Sequence, residues 1–415
     1  MSKLLTCGKR LRQLGLIGVL AAATVFAAGT ATAQNKDPIK IGGIYLMSGS
    51  AATYGEFAKQ GATLAINEVN AAGGVLGRPF SLQLEDGQGK AAVAIQAARK
   101  LVFQDKVDLL MGLDSSGVAE GLVPTVPELG KPFMITHAAT PAATGKLCNK
   151  YVFRDGTNVT QQMAGLAAVA AKVGAKKWTT IGPDYAFGHQ TWEYFSKDLK
   201  KLQPDVELMD KAVAFPKFGA EDFTPFINAV MAAKPDGVMI SLWGGDLVNF
   251  VRQATQLGYF KQGFKNFYAV GAATEVLTAL GDQMPEGQWL ATRYWYDSWD
   301  TPLNKQFVAD YKKAYGHPPS YNAEQAYMAI HLFKAAIEKA GSVEPDKVIA
   351  ALSGITVPAP FGELHIRAGD HQALIGPTVG VTGPMNTADG IRSLTQIQNF
   401  KGADVTPPVD PACKL

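Results

Sequence analysis

Cysteine is nearly absent from this sequence: three residues in 415, at positions 7, 148 and 413. That scarcity excludes a disulfide-stapled miniprotein, a four-cysteine zinc site and a C-x-x-C redox centre. Histidine is thin as well, with six residues at 137, 189, 317, 331, 365 and 371 and no metal-ligand spacing among them. The phosphate-cradling glycine signatures are missing: no G-x-G-x-x-G follows the first β-type run, and no G-x-x-x-x-G-K-[ST] occurs anywhere. G-x-S-x-G and H-E-x-x-H are missing too. Adjacent carboxylates such as Glu85-Asp86 and Glu221-Asp222 point apart on a strand or helix, so they make poor acid–base pairs. The expectation is a protein that is not an enzyme and that uses neither cofactor nor metal.

A strong charge of one sign is also lacking. The formal net charge is +3, and four of the positive charges, Lys3, Lys9, Arg10 and Arg12, precede an apolar run over 14–28. Ala31-Thr32-Ala33 follows with the small residues a signal peptidase accepts. That order predicts a secretory signal over 1–33, cleaved after Ala33, with export to the periplasm. The remainder is close to neutral and has no basic face of the kind that binds nucleic acid or anionic membrane. No later stretch approaches the roughly 20 apolar residues of a membrane span, so the mature chain is expected to be soluble. Cys7 is lost with the signal. In an oxidising compartment Cys148 and Cys413 are expected to form one disulfide that ties down the tail, two free buried thiols being the alternative.

What is present is alternation. Apolar β-type runs at 39–46, 80–85, 108–113 and 132–136 are separated by helical periodicity over 54–72, 91–104 and 116–129. The βαβαβαβ series predicts a parallel sheet with helices on both faces. The pattern breaks at 151–155 and restarts with a helix over 158–172, for which Asn158 is a good N-cap. Strands at 178–182, 207–215, 237–242 and 267–271 then alternate with helices at 192–201, 223–233 and 247–257. Beyond 288–296 the chain reads as helices at 303–315, 321–340 and 346–352, strands at 362–367 and 378–382, and a proline-rich end. The fold class is α/β, with two lobes of similar architecture.

The opening Ile39-Lys40-Ile41-Gly42-Gly43-Ile44-Tyr45, with Ser48-Gly49, Tyr54-Gly55, Ile66-Asn67-Glu68-Val69-Asn70 and Gly73-Gly74-Val75-Leu76-Gly77-Arg78-Pro79, forms an ordered set of motifs. Ala138-Ala139-Thr140-Pro141, Phe153-Arg154, Asp184-Tyr185-Ala186-Phe187-Gly188 and Phe361-Gly362 continue it. The set resembles type I periplasmic binding proteins of the branched-chain amino-acid and amide class, which serve ABC importers. The resemblance implies two Rossmann-like lobes joined by three strands, with a small-molecule ligand held between them. It implies docking onto a membrane permease with its ATPases, and the chain is expected to be a monomer. The lobes are expected at 34–156 and 289–365 for the first and 157–288 for the second, with 366–415 supplying a return strand to the second and the tail. A ligand sensor of the same fold and an amide- or urea-type binder are the alternatives.

The resemblance also implies a site. Ser115 and Ser116 open a helix after a strand, where hydroxyls and free N–H groups suit a carboxylate. Ala138, Ala139 and Thr140 offer backbone and hydroxyl contacts, and His137 adjoins them. Tyr185, Phe187, Trp243 and Gly244 stand at strand ends of the second lobe, where aromatics fit the lid of an apolar pocket. Tyr54 and Tyr294 are further candidates. Amino-acid binders of this class place an acid after the strand at 267–271, and here Ala273 takes that position unless Glu275 or Asp246 substitutes. A missing acid disfavours a buried ammonium and favours a ligand with a carboxylate but no amine, aromatic or branched.

Overall fold

The structure, a computed structural model, describes residues 37–415; the expected signal segment lies outside the described residues. No helix among the described residues is long and apolar enough to cross a membrane.

The first βα series runs β1 (Ile39–Tyr45), α1 (Ala52–Ala71), β2 (Phe80–Asp86), α2 (Ala91–Arg99), β3 (Leu109–Gly112), α3 (Ser116–Leu122), α4 (Val126–Leu129) and β4 (Phe133–Ile135). A short β5 (Val152–Arg154) occupies the stretch where the sequence pattern breaks. These strands form one parallel sheet in the order β2-β1-β3-β4-β5. Nearly all of β1, β3, β4 and β5 is buried, as their continuous apolar runs require when helices cover both faces.

The second series begins with α5 (Val159–Ala170), held by a reciprocal cap in which Asn158 Oδ1 accepts from the Gln161 amide and Gln161 Oε1 accepts from the Asn158 amide. It continues through β6 (Lys177–Ile181), α6 (Ala186–Leu202), β7 (Glu207–Leu208), α7 (Thr224–Ala233), β8 (Gly237–Ile240), α8 (Gly244–Gln256), β9 (Lys265–Tyr268), α9 (Thr274–Leu280) and β10 (Trp289–Thr292). Two elements differ from expectation. α6 starts at Ala186 rather than 192, and the strand expected at 207–215 shrinks to two residues because a 3-10 turn at Asp210–Ala212 interrupts it.

The chain then returns to the first lobe as α10 (Pro302–Tyr315), α11 (Tyr321–Ala340) and α12 (Pro345–Leu352). α11 packs on α1 so closely that a Cβ on Gly61 would lie 1.9 Å from the Ala323 carbonyl oxygen. β11 (Thr356–Ala359) and β12 (Gly362–His365) pair as an antiparallel hairpin. β13 (Thr378–Asn386) and β14 (Ile391–Asn399) close the edge of the second sheet, whose order is β14-β13-β10-β9-β8-β6-β7. β14 lies in the stretch read only as a proline-rich end.

The boundary at 288/289 is also corrected. β10 pairs with β9 and β13 in the second sheet, so the chain leaves that lobe after Thr292. The chain passes between the sheets three times, after Arg154, after Thr292 and after His365. Arg154, fully buried at the first passage, donates to the Thr140 carbonyl at 2.6 Å and to Gln372 Oε1 of the third passage at 3.0 Å. Cys148 and Cys413 are joined by a disulfide, Cα atoms 5.3 Å apart, which fastens the tail to the first lobe.

Candidate functional site

Where the carboxyl ends of the parallel strands of the two sheets face each other, residues of both lobes line a cavity. Its first wall comes from two turns. The β3–α3 turn supplies Asp114 and Ser116, and the turn after β4 supplies His137 and Ala139. Asp114 is held by both oxygens: Oδ2 accepts from the Leu46 amide at 2.6 Å, and Oδ1 lies 2.7 Å from His137 Nδ1. His137 Nε2 is 3.0 Å from the Asn322 carbonyl oxygen, so both ring nitrogens face acceptors. The Ser116 hydroxyl and the Ala139 amide make no hydrogen bond among the described residues and remain available to a ligand.

The opposite wall is aromatic. Trp243 caps the N-terminus of α8, donates from Nε1 to the Tyr185 hydroxyl at 3.0 Å and stacks on Phe218 at 4.9 Å. Phe187 and Val270 complete that wall. Tyr54 of α1 meets Trp243 edge-on at 5.1 Å and Tyr321 at 6.1 Å, closing the ring of aromatics between the lobes. Burial pushes the Tyr54, Tyr185 and Tyr321 phenols up, so they stay protonated and can donate hydrogen bonds.

Arg293 enters from the second passage between the lobes. Its guanidinium lies over the Tyr321 ring at 5.1 Å and donates from Nη1 to the His137 carbonyl, while Nε has no acceptor. Burial draws its pKa down, opposed by the charge of Asp114. No salt bridge to Arg293 is present among the described residues, so a buried cation lines the cavity without a carboxylate of its own.

The expected site residues divide into two groups. Tyr54, Ser116, His137, Ala139, Tyr185, Phe187 and Trp243 converge on the cavity. The others lie around it. Ser115 rests against the Tyr185 phenol. The Ala138 amide donates to the Leu113 carbonyl at 2.7 Å, and its methyl is buried in the first lobe. Thr140 donates its hydroxyl to Glu120 at 2.5 Å and so turns from the cavity. Gly244 gives its amide to the Tyr54 hydroxyl at 3.3 Å, and Asp246 is tied to Ser50 and Gly219. Ala273 is fully buried at the start of α9. Glu275 accepts from Asn322 Nδ2 behind the cavity wall, where burial raises its carboxyl to about 7. Tyr294 donates to Asn304 at 2.5 Å and faces α10. None of the three positions considered for an ammonium partner lines the cavity.

Asp114, Phe218, Val270, Arg293 and Tyr321 escaped the sequence reading. Two carried a signal: Asp114 adjoins Ser115, and Arg293 is a lone charge in the apolar run 289–296.

Residues 38–379 match a family model described as periplasmic binding protein. The leucine-, isoleucine-, valine-, threonine- and alanine-binding protein of Pseudomonas aeruginosa is 28% identical over 349 residues, 83% of this chain and 90% of that protein. Among solved structures, an amino acid ABC transporter substrate-binding protein from Pseudomonas fluorescens superposes with a TM-score of 0.79 at 27% identity, covering 91% of this chain and 99% of its own. An ABC transporter solute-binding protein from Rhodopseudomonas palustris, solved in complex with 3,4-dihydroxybenzoic acid, gives 0.80 at 25% identity, with 90% and 99% covered.

Proposed function

Because the chain belongs to the periplasmic binding protein family, we propose that it captures a small carboxylate lacking a free amine, aromatic or branched, and delivers it to an ABC importer. Members of this family bind solutes rather than transform them. The observation that carries the ligand class is Arg293, a buried guanidinium at the cavity wall with no carboxylate partner. Burying an unpaired charge is costly, and a ligand carboxylate would relieve that cost. The Ser116 hydroxyl and the Ala139 amide add donors, while Tyr185, Trp243, Phe187 and Tyr54 present faces and edges to an apolar body.

Asp114, the carboxylate among the described residues lining the cavity, already accepts from the Leu46 amide and pairs with His137, which makes it a weaker partner for a ligand ammonium. Ligand contacts on both walls stabilise the closed arrangement, and the importer reads closure. The signal over 1–33 would export the chain, which then works as a monomer in the periplasm.

The test is a calorimetric and thermal-shift panel on refolded, ligand-stripped mature protein: benzoate, 4-hydroxybenzoate, 3,4-dihydroxybenzoate, 3-methylbutanoate, L-leucine and L-valine. At least one simple carboxylate should raise the melting temperature and bind more tightly than either amino acid. Tight leucine or valine with inert carboxylates would overturn the proposal.

A further inference from the structure

The turn that follows β1 is fastened to the first lobe at two points. Asp114 Oδ2 accepts from the Leu46 amide at 2.6 Å, and Asp86 accepts from the Met47 amide at 3.0 Å and from the Ser48 hydroxyl at 2.5 Å. Ser50, at the tip of this turn, meets the N-terminus of α8 on the other lobe. Its carbonyl accepts from the Gly245 amide at 2.9 Å, and its hydroxyl donates to Asp246 Oδ1 at 3.3 Å. The approach leaves no room for a side chain, since a Cβ on Gly245 would lie 2.5 Å from the Ser50 oxygen. Asp246 Oδ2 accepts from the Gly219 amide at 2.8 Å, and the neighbouring Phe218 is the ring stacked on Trp243. One buried carboxylate therefore holds the loop that backs the aromatic wall and, with its other oxygen, the lobe across the cleft.

We propose that Asp246 is a positioning residue that couples lobe closure to the placement of the Phe218–Trp243 stack against the ligand. It does not line the cavity, so its effect passes through Trp243. In the open arrangement the Gly219 contact is made within one lobe; closure adds Ser50 and fixes the carboxylate from both sides. The inference deepens the binding reading above and rests on it for its kinetic consequence.

Two measurements test it. In ligand-free protein labelled with 5-fluorotryptophan, Asp246→Ala should shift or broaden the Trp243 fluorine resonance, identified by its loss in Trp243→Phe, while Ser50→Ala leaves it in place. An unmoved resonance in Asp246→Ala overturns the proposal whatever the ligand proves to be. In stopped-flow fluorescence with 3,4-dihydroxybenzoate as probe, Asp246→Ala and Ser50→Ala should both raise the dissociation rate by about tenfold, the loss of a hydrogen bond to a charged group. The association rate should stay within about twofold, as contacts made after encounter act on dissociation, with Asp246→Asn falling between wild type and Asp246→Ala. An unchanged dissociation rate in Ser50→Ala, which removes the hydroxyl contact to Asp246 and keeps the main-chain bond from Gly245 to Ser50, also overturns it. Should wild type fail to bind the probe, that acid is lost to the binding reading, and the fluorine resonance alone decides the role of Asp246.

Discussion

Replacing Arg293 by methionine separates ligand recognition from folding more cleanly than any other single change. The residue is 6% exposed, and its guanidinium has one hydrogen bond within the protein through Nη1 and leaves Nε without an acceptor. Methionine has a similar length and no charge. In the folded protein the change forfeits the bond to the His137 carbonyl and the contact with the Tyr321 ring, about 1 kcal/mol each. It also removes the standing cost of a desolvated cation, which draws the Arg293 pKa down. These effects oppose one another, so the melting temperature should move little. Binding has no such offset. A charge-assisted hydrogen bond to a carboxylate contributes about 1.5–3 kcal/mol, so losing the guanidinium should weaken a carboxylate ligand by about 3 kcal/mol, roughly a hundredfold. Isothermal calorimetry against the tightest acid of the panel, with a calorimetric melt of the same sample, reads both quantities. Affinity within about threefold of wild type, or affinity lost only because the fold is lost, would refute the assignment of Arg293 to the carboxylate.

Trp243→Ala removes the stack on Phe218, the edge contact with Tyr54 and the bond to Tyr185, and should cost about 2 kcal/mol of binding, near thirtyfold, while Trp243→Phe keeps most of the stacking; calorimetry decides. Burial raises the Glu275 carboxyl to about 7 and the Glu324 carboxyl to about 8, against an ordinary value near 4.5. The native state therefore holds protons that the unfolded chain has released. This stabilisation is complete below about pH 4 and is lost progressively as the pH rises from about 4.5 to about 7 for Glu275 and about 8 for Glu324, on the order of 3 and 5 kcal/mol respectively. Thermal melts should show the melting temperature falling between about pH 5 and pH 8, and Glu324→Gln should flatten that slope; an unchanged slope would count against the burial-driven shift.

Local sequence carried most of the architecture. Continuous apolar runs such as 39–46 and 108–113 can be buried only between helix layers, and Asn158 with Gln161 marks a helix start by chemistry that needs no distant partner. The turns after β3 and β4 were legible for the same reason, since Ser116 and Ala139 sit where a parallel strand delivers a helix N-terminus or a loop to the sheet edge. The short pairings were not legible. β5 is three residues long, and β14 alternates weakly, so both depend on neighbours remote in sequence.

The roles of individual side chains were decided by tertiary structure alone. Thr140, Asp246 and Glu275 have the chemistry of ligand contacts, yet Glu120, Ser50 with Gly219, and Asn322 claim them first. Arg293 and Tyr321 belong to elements that reach the cavity only because the chain crosses between the lobes after Thr292 and comes back through α11. Periodicity and turn chemistry act over a few residues and so determine elements. Which polar atom is left unpaired at a cavity wall depends on every group packed around it, and that is settled only when both lobes and their crossings are in place.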